Sequence, residues 1–251
     1  MCGICGASFA QQDRPENLEQ VAKELLLGIE ERGRHATGLA WDHDGDVWID
    51  KAPIAASKFV SAMPAMGDAT VFLGHTRWAS QGSPSNFLNN HPIETSGLVG
   101  IHNGVIHNDD DLFDLLPYGV RRGEVDSEAI FAFMSLSGLE TAEALAWLRG
   151  SAAVAWIDSR QPTVLHLARV SSSPLVIARS DRGSLYFAST QGCLKRLHRL
   201  GIRLSESTSV DEGTYLKVQH GNIVDSQRFV VSGRTGLTDV ERRALNLAPQ
   251  H

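Results

Sequence analysis

Residues 1–9 read MCGICGASF, and from Gly3 to Phe9 every side chain is small or apolar, the composition of a short strand buried on both faces. Only Met1 and Cys2 precede it, so the strand anchors the start of the chain in a sheet and leaves Cys2 at its open end. After it, Asp13 and Pro15 are expected to open a helix in which Leu18, Val21, Ala22, Leu25, Leu26 and Ile29 recur at three-and-four spacing. That stripe is apolar on one side and needs a surface to pack on, which a sheet supplies.

Farther along, GLAW and DVWID flank Asp44-Gly45, a dipeptide suited to a tight hairpin because glycine accepts positive φ. The run DHDGD reads as that turn, since a calcium loop would place its Gly sixth and a bidentate Glu twelfth. Further strands are expected at 70–76, 97–104, 152–158, 163–169, 174–179, 184–189 and 214–218. Helices are expected near 109–116, with Asn108 as its cap, and near 127–136, 140–148 and 190–198. Strands and helices fall in blocks without regular alternation, which favours α+β layers over a doubly wound parallel sheet. One catalytic domain over 2–231 and a C-terminal tail over 232–251, with one short amphipathic helix, complete the expected organisation.

The 251 residues are 42% hydrophobic and 21% charged, with a net charge of −6, enough apolar material for a substantial core. Lys and Arg are scattered instead of clustered, so the electrostatic footprint of a nucleic-acid binder is missing. No apolar run is long enough to cross a bilayer and the N-terminus lacks a secretory signal, so a cytoplasmic protein is expected, with neither nucleic acid nor membrane as partner. Three cysteines, Cys2, Cys5 and Cys193, are too few and too odd for a disulfide framework, and a reducing compartment keeps them as thiols.

A cysteine directly after the initiator is a specific candidate for chemistry. A small second residue permits removal of Met1, which leaves a thiol and an α-amine on one residue. An α-amine titrates at about 7.7–8.0, so a usable fraction is unprotonated at neutral pH and can take the thiol proton. Attack on a carboxamide creates an oxyanion that needs fixed donors. The segment IHNGVIHN offers Asn103 and Gly104, placed where the chain is expected to turn sharply after a strand. An α-amino acid needs a cation for its carboxylate and an anion for its ammonium, and Arg77 and Asp126 are the candidates.

Six blocks then carry a resemblance: MCGICG, ERGRHATG (31–38), GHTRWASQG (74–82), NNHPIE (89–94), GIHNGVIHN (100–108) and VDSEAI (125–130). Together they resemble the glutaminase domain of class II glutamine amidotransferases, among the N-terminal nucleophile hydrolases. The match is to the glutaminase halves of glucosamine-6-phosphate synthase and of glutamine phosphoribosylpyrophosphate amidotransferase. Occurring in the family's order across residues 2–190, the blocks are far more specific than any one of them. The resemblance implies a four-layer αββα sandwich and a reaction without a cofactor: attack on glutamine Cδ, release of ammonia, and hydrolysis of a γ-glutamyl thioester to glutamate. It makes Cys2 the nucleophile and base, and Asn103 and Gly104 the oxyanion hole. It assigns the substrate carboxylate to Arg77, with Gln81 able to bind it as well but without a positive charge, places Trp78 in the mobile glutamine loop, and gives the substrate ammonium to Asp126 and support of Cys2 to Arg32. It also implies a separate ammonia-accepting synthase as partner.

This chain departs from the family pattern R-G-x-D-S-x-G, which reads Arg32-Gly33-Arg34-His35-Ala36-Thr37-Gly38, and from T-R-W-A-T-H-G, where Ser80 and Gln81 stand for Thr and His. These departures keep two other readings open: an amidase acting on a different γ-glutamyl or acyl amide, and a glutamine-binding domain without turnover. Cys5 reads as core, because Cys2-x-x-Cys5 has no second pair to complete a zinc site. His75, His91, His102 and His107 lie on separate segments, so structural roles are expected of them and no metal.

Overall fold

The computed structural model describes residues 1–13, 15 and 17–231; the tail expected over 232–251 lies outside the described residues. The chain begins with β1 (Gly3–Ser8), α1 (Leu18–Ile29), β2 (Ala36–His43), β3 (Asp46–Ala52), α2 (Ala56–Phe59) and β4 (Val71–Arg77). Next come β5 (Ile93–Thr95), β6 (Leu98–Ile106), α3 (Asp109–Asp114), α4 (Asp126–Leu136), α5 (Thr141–Leu145), β7 (Gly150–Asp158) and β8 (Val164–Ser171). The last part holds β9 (Val176–Arg179), β10 (Leu185–Ala188), α6 (Gln191–Lys195), β11 (Thr208–Ser209), β12 (Thr214–Gln219) and β13 (Asn222–Arg228).

Two antiparallel sheets form, in the orders β11-β9-β10-β1-β4-β2-β3 and β13-β12-β8-β7-β6-β5. Three apolar clusters define the layers. Cys5, Leu39 and Phe72 on the outer face of the first sheet pack against Leu25, Leu26 and Cys193 of α1 and α6. Ile4, Leu73, Ile101, Ala153 and Phe187 meet between the sheets. Val154 and Trp156 on the outer face of the second sheet pack with Ile130 and Phe133 of α4. This is the expected α+β sandwich, and it follows from period-two alternation with both sheet faces covered. No helix of the described residues is long and apolar enough to cross a membrane.

All six residues of the α1 stripe are buried, each contributing roughly 1.5–3 kcal/mol of transfer free energy. The helix starts later than Asp13, because Asn17 caps it by accepting from the Gln20 amide at 3.1 Å, while the Asp13 carboxylate is held by the Ser180 hydroxyl and the Ser184 amide. Asp44 and Gly45 have φ of 51° and 86°, the left-handed pair that a tight hairpin between β2 and β3 requires.

Two local expectations are corrected. Asn103 and Gly104 do not follow a strand; β6 runs through them to Ile106, pairing Asn103 with Ala153 and Gly104 with Ala152 of β7. Asn108 does not cap α3 with its side chain, which instead donates to the Trp147 carbonyl at 3.0 Å and accepts from the Arg149 amide at 3.0 Å. Those two bonds tie the start of α3 to the segment entering β7.

Candidate functional site

β1 lies between β10 and β4, and all six of its residues are buried. Its register pairs Gly3 with Thr76, which brings Cys2, one residue before the strand, level with Arg77 at the end of β4. Cys2 is half-buried, and its thiol donates to the Trp78 carbonyl at 3.7 Å. Arg32 Nε donates to the Cys2 carbonyl at 2.8 Å. Gly33 lets the chain pass close to the end of β4: a Cβ there would stand 2.4 Å from the Arg77 carbonyl carbon.

Burial pushes the Cys2 thiol up, while the nearby N-terminal charge and Arg77 pull it down and Asp126 pushes it up. Opposite charges therefore act on one sulfur. Arg77 is itself buried. Its guanidinium donates to Asn90 Oδ1 at 2.9 Å, to the Gly82 carbonyl at 2.8 Å and to the Gln81 carbonyl. Burial lowers its affinity for the proton, with Cys2 and Asp126 opposing, and a guanidinium remains charged throughout.

Asp126 opens α4, and its Oδ2 accepts the Ile106 amide at 2.9 Å and lies 4.0 Å from His102 Nδ1. Asn103 is buried, and neither Oδ1 nor Nδ2 of its side chain has a hydrogen-bond partner among the described residues. A buried carboxamide left in this way costs on the order of 1–3 kcal/mol. Gly104 has φ of 145°, and a Cβ there would stand 1.8 Å from the Ser151 carbonyl oxygen. Only glycine fits both constraints.

The two sheets are tied at this end by histidines. His75 Nε2 of β4 donates to the His102 carbonyl of β6 at 3.1 Å, and the His75 ring stacks on His91 with centroids 4.0 Å apart. Burial drives the pKa of His75 down to about 3 and lowers those of His91 and His102, so all three are neutral near pH 7. His102 Nδ1 also bonds the Ser127 hydroxyl at 2.9 Å.

The structure thus gathers Cys2, Arg32, Arg77 and the Trp78 carbonyl at one end of the sandwich, with Asp126 acting on the same thiol. Gln81 meets Arg77 through its carbonyl, while its residue is exposed; no side-chain contact with the site is made. The Trp78 indole is 53% exposed and turns toward the His35 ring instead of the thiol. Sequence reasoning passed over Asn90, which takes one Arg77 donor, and the reciprocal pair in which Asn89 donates to Glu124 Oε2 at 2.7 Å and accepts the Glu124 amide at 2.9 Å. The NNHPIE block was the available signal, since it holds both asparagines.

Residues 86–196 match the family model described as "Glutamine amidotransferase domain", a stretch that holds Asn103, Gly104 and Asp126 but neither Cys2 nor Arg77. The glutamine–fructose-6-phosphate aminotransferase (isomerizing) of Shouchella clausii is 32% identical over 201 residues, covering 74% of this chain and 31% of the relative. Its Staphylococcus aureus Mu50 counterpart is 30% identical over 252 residues, covering 92% and 39%. The chain therefore spans about a third of the length of these relatives. The fold is shared with glutamine phosphoribosylpyrophosphate amidotransferase of B. subtilis, at TM-score 0.73 and 19% identity over 92% of this chain and 50% of that one. It is also shared with a glutamine aminotransferase class-II domain protein of Silicibacter pomeroyi, at TM-score 0.57 and 17% identity over 91% and 100%. Sequence similarity and a common two-sheet architecture together make this chain a class II glutamine amidotransferase domain.

Proposed function

We propose that the domain hydrolyses L-glutamine to glutamate and ammonia at Cys2. The observation that supports this most is the pair of opposite charges, Arg77 and Asp126, acting on one thiol. A free α-amino acid carries the complementary pair, a carboxylate and an ammonium. Once Met1 is removed, the Cys2 amine takes the thiol proton directly or through water, and Sγ attacks the carboxamide carbon. Negative charge that builds on the oxygen is met by the Asn103 Nδ2 donor, which no acceptor among the described residues occupies, and by the Gly104 amide. Collapse expels the nitrogen, which leaves as ammonia with the proton carried by the amine. Water then attacks the γ-glutamyl thioester, releases glutamate and restores the thiol. Arg32 fixes the Cys2 carbonyl throughout.

The ammonia is passed to a synthase that supplies the acceptor, a reading that rests on the aminotransferase named among the relatives. Free thiols at Cys2, Cys5 and Cys193 suit a reducing, cytoplasmic setting. One observation favours a second reading, an amidase for a different amide: the Arg77 guanidinium already donates to Asn90, Gln81 and Gly82, so a substrate carboxylate shares it with the loop.

The test is incubation with 6-diazo-5-oxo-L-norleucine followed by intact and peptide mass spectrometry. One adduct on an N-terminal Cys2 is expected. A chain that keeps Met1, or that loses it and stays unlabelled while glutamine is not consumed, overturns the proposal.

A further inference from the structure

His35 stands where the family pattern has Asp, and the fold gives it a contact that an imidazole makes in only one charge state. Its backbone amide donates to the Arg77 carbonyl at 3.0 Å, which lays residues 33–35 along the chain leaving β4. Its ring lies 5.0 Å from the Trp78 indole at an interplanar angle of 32°. The Ala79 amide donates to His35 Nδ1 at 2.9 Å. A backbone N–H can only donate, so Nδ1 carries no proton and the ring is the neutral Nε2–H tautomer. Protonation would set two N–H groups against each other at that distance.

The segment so held is the one over the nucleophile. The Trp78 carbonyl accepts the Cys2 thiol, and Trp78 sits between Arg77, whose side chain is anchored on Gln81, Gly82 and Asn90, and Ala79, anchored on His35. We propose that His35 is a positioning residue that latches residues 78–80 beside Cys2 while its imidazole is neutral, and releases them when it is protonated. Turnover of glutamine then falls on the acid side because the loop opens, in addition to any change at the thiol or amine. The inference rests on the glutaminase reading above.

The ionisable groups around the latch are engaged elsewhere. Glu30 accepts from the Ser57 amide at 2.6 Å and lies 3.5 Å from the Arg34 guanidinium. Arg32 is taken by the Cys2 carbonyl and sits in the field of Glu31. Across the latch stand Arg77 and Cys2.

Three proteins separate the latch from a merely structural role: wild type, His35→Asn and His35→Phe. Asn keeps an acceptor oxygen near the Nδ1 position and does not titrate; Phe keeps the ring over Trp78 and offers no acceptor. KM and kcat for glutamine are measured from pH 5 to 9, and hydrogen exchange at the Ala79 amide is followed over the same range, corrected for its intrinsic rate. Loss of one hydrogen bond corresponds to about a three- to tenfold rise in KM. Wild type is expected to show that rise at the acid end with matching loss of Ala79 protection. Asn is expected to show neither at acid pH while matching wild type at pH 8, and Phe to show the raised KM at every pH. An Asn variant whose KM rises at acid pH as in wild type, or Ala79 protection in wild type that is indifferent to pH, overturns the latch. A wild type that consumes no glutamine while Ala79 responds as described sinks the glutaminase reading alone, because the exchange measurement needs no turnover.

Discussion

Replacing Asn103 with Ala sets stability against activity in a way the structure makes quantitative. The Asn103 amide is buried and bonded to no atom of the described residues, so its removal breaks no hydrogen bond among them and relieves a desolvation cost on the order of 1–3 kcal/mol. Against that stands the space left by three heavy atoms, roughly 40 Å³, worth about 1 kcal/mol at the usual cost per volume. The balance runs from neutral to about 2 kcal/mol in favour of the variant, which for a domain of this size is a Tm equal to wild type or up to several degrees higher. The same amide is the oxyanion donor of the proposed mechanism, and losing such a donor lowers kcat by about 10²–10³. Differential scanning calorimetry and a steady-state glutaminase assay on the same preparation read both quantities. A variant that melts well below wild type while keeping kcat within about tenfold would refute the reasoning, because it would make Asn103 a structural amide with a partner and no catalytic donor.

Gly104→Ala acts through the backbone alone: with φ at 145° and a Cβ 1.8 Å from the Ser151 oxygen, the β6–β7 pairing has to shift, at a cost of at least about 2 kcal/mol. A denaturant midpoint unchanged from wild type would contradict it. Acid should weaken the fold through buried histidines, since burial holds His75 at about 3 and His166 at about 4, below the ordinary value of about 6.5. Between those values the unfolded chain binds more protons, so this stability is complete above about pH 6.5 and is lost as pH falls, by about 2 kcal/mol per histidine at pH 5. Urea melts at pH 7 and pH 5 check it, and a midpoint that does not move would be the contrary result.

What the sequence made legible was local. The α1 stripe and the Asp44-Gly45 hairpin announce themselves because helical period and positive-φ residues act over a few positions. β13 gave no such signal: most of its residues are exposed on a sheet edge, so no alternation of apolar and polar residues marks it. β5, with three residues, is too short to carry a period. In the site, the residue types were readable and their bonds were not. Arg77 stood out as a cation, yet two of its bonds go to main-chain carbonyls, and a carbonyl is offered by any residue. Asn89 and Glu124 hold each other across 35 positions, a separation at which no spacing rule applies. His35 was visible as a departure from a pattern, and its meaning came only with Ala79 beside it.

In the proposed mechanism the nucleophile and its oxyanion donors come from different sheets. An α-amine exists only at a chain end, and chain ends are ordinarily frayed. Here Cys2 leads directly into an interior strand whose six residues are buried between β10 and β4, so the proposed nucleophile inherits the rigidity of the sheet core. Asn103 and the positive-φ Gly104 belong to the other sheet, within β6, so in the proposed mechanism the spacing between sulfur and oxyanion donor is an inter-sheet distance. The His75 bond to the His102 carbonyl crosses that gap one residue before Asn103 and two before Arg77, and the neutral, stacked His75–His91 pair does so without placing a charge behind the thiol. Burying an imidazole there costs acid stability, and the same burial keeps histidine charge away from Cys2, where the N-terminal charge, Arg77 and Asp126 act.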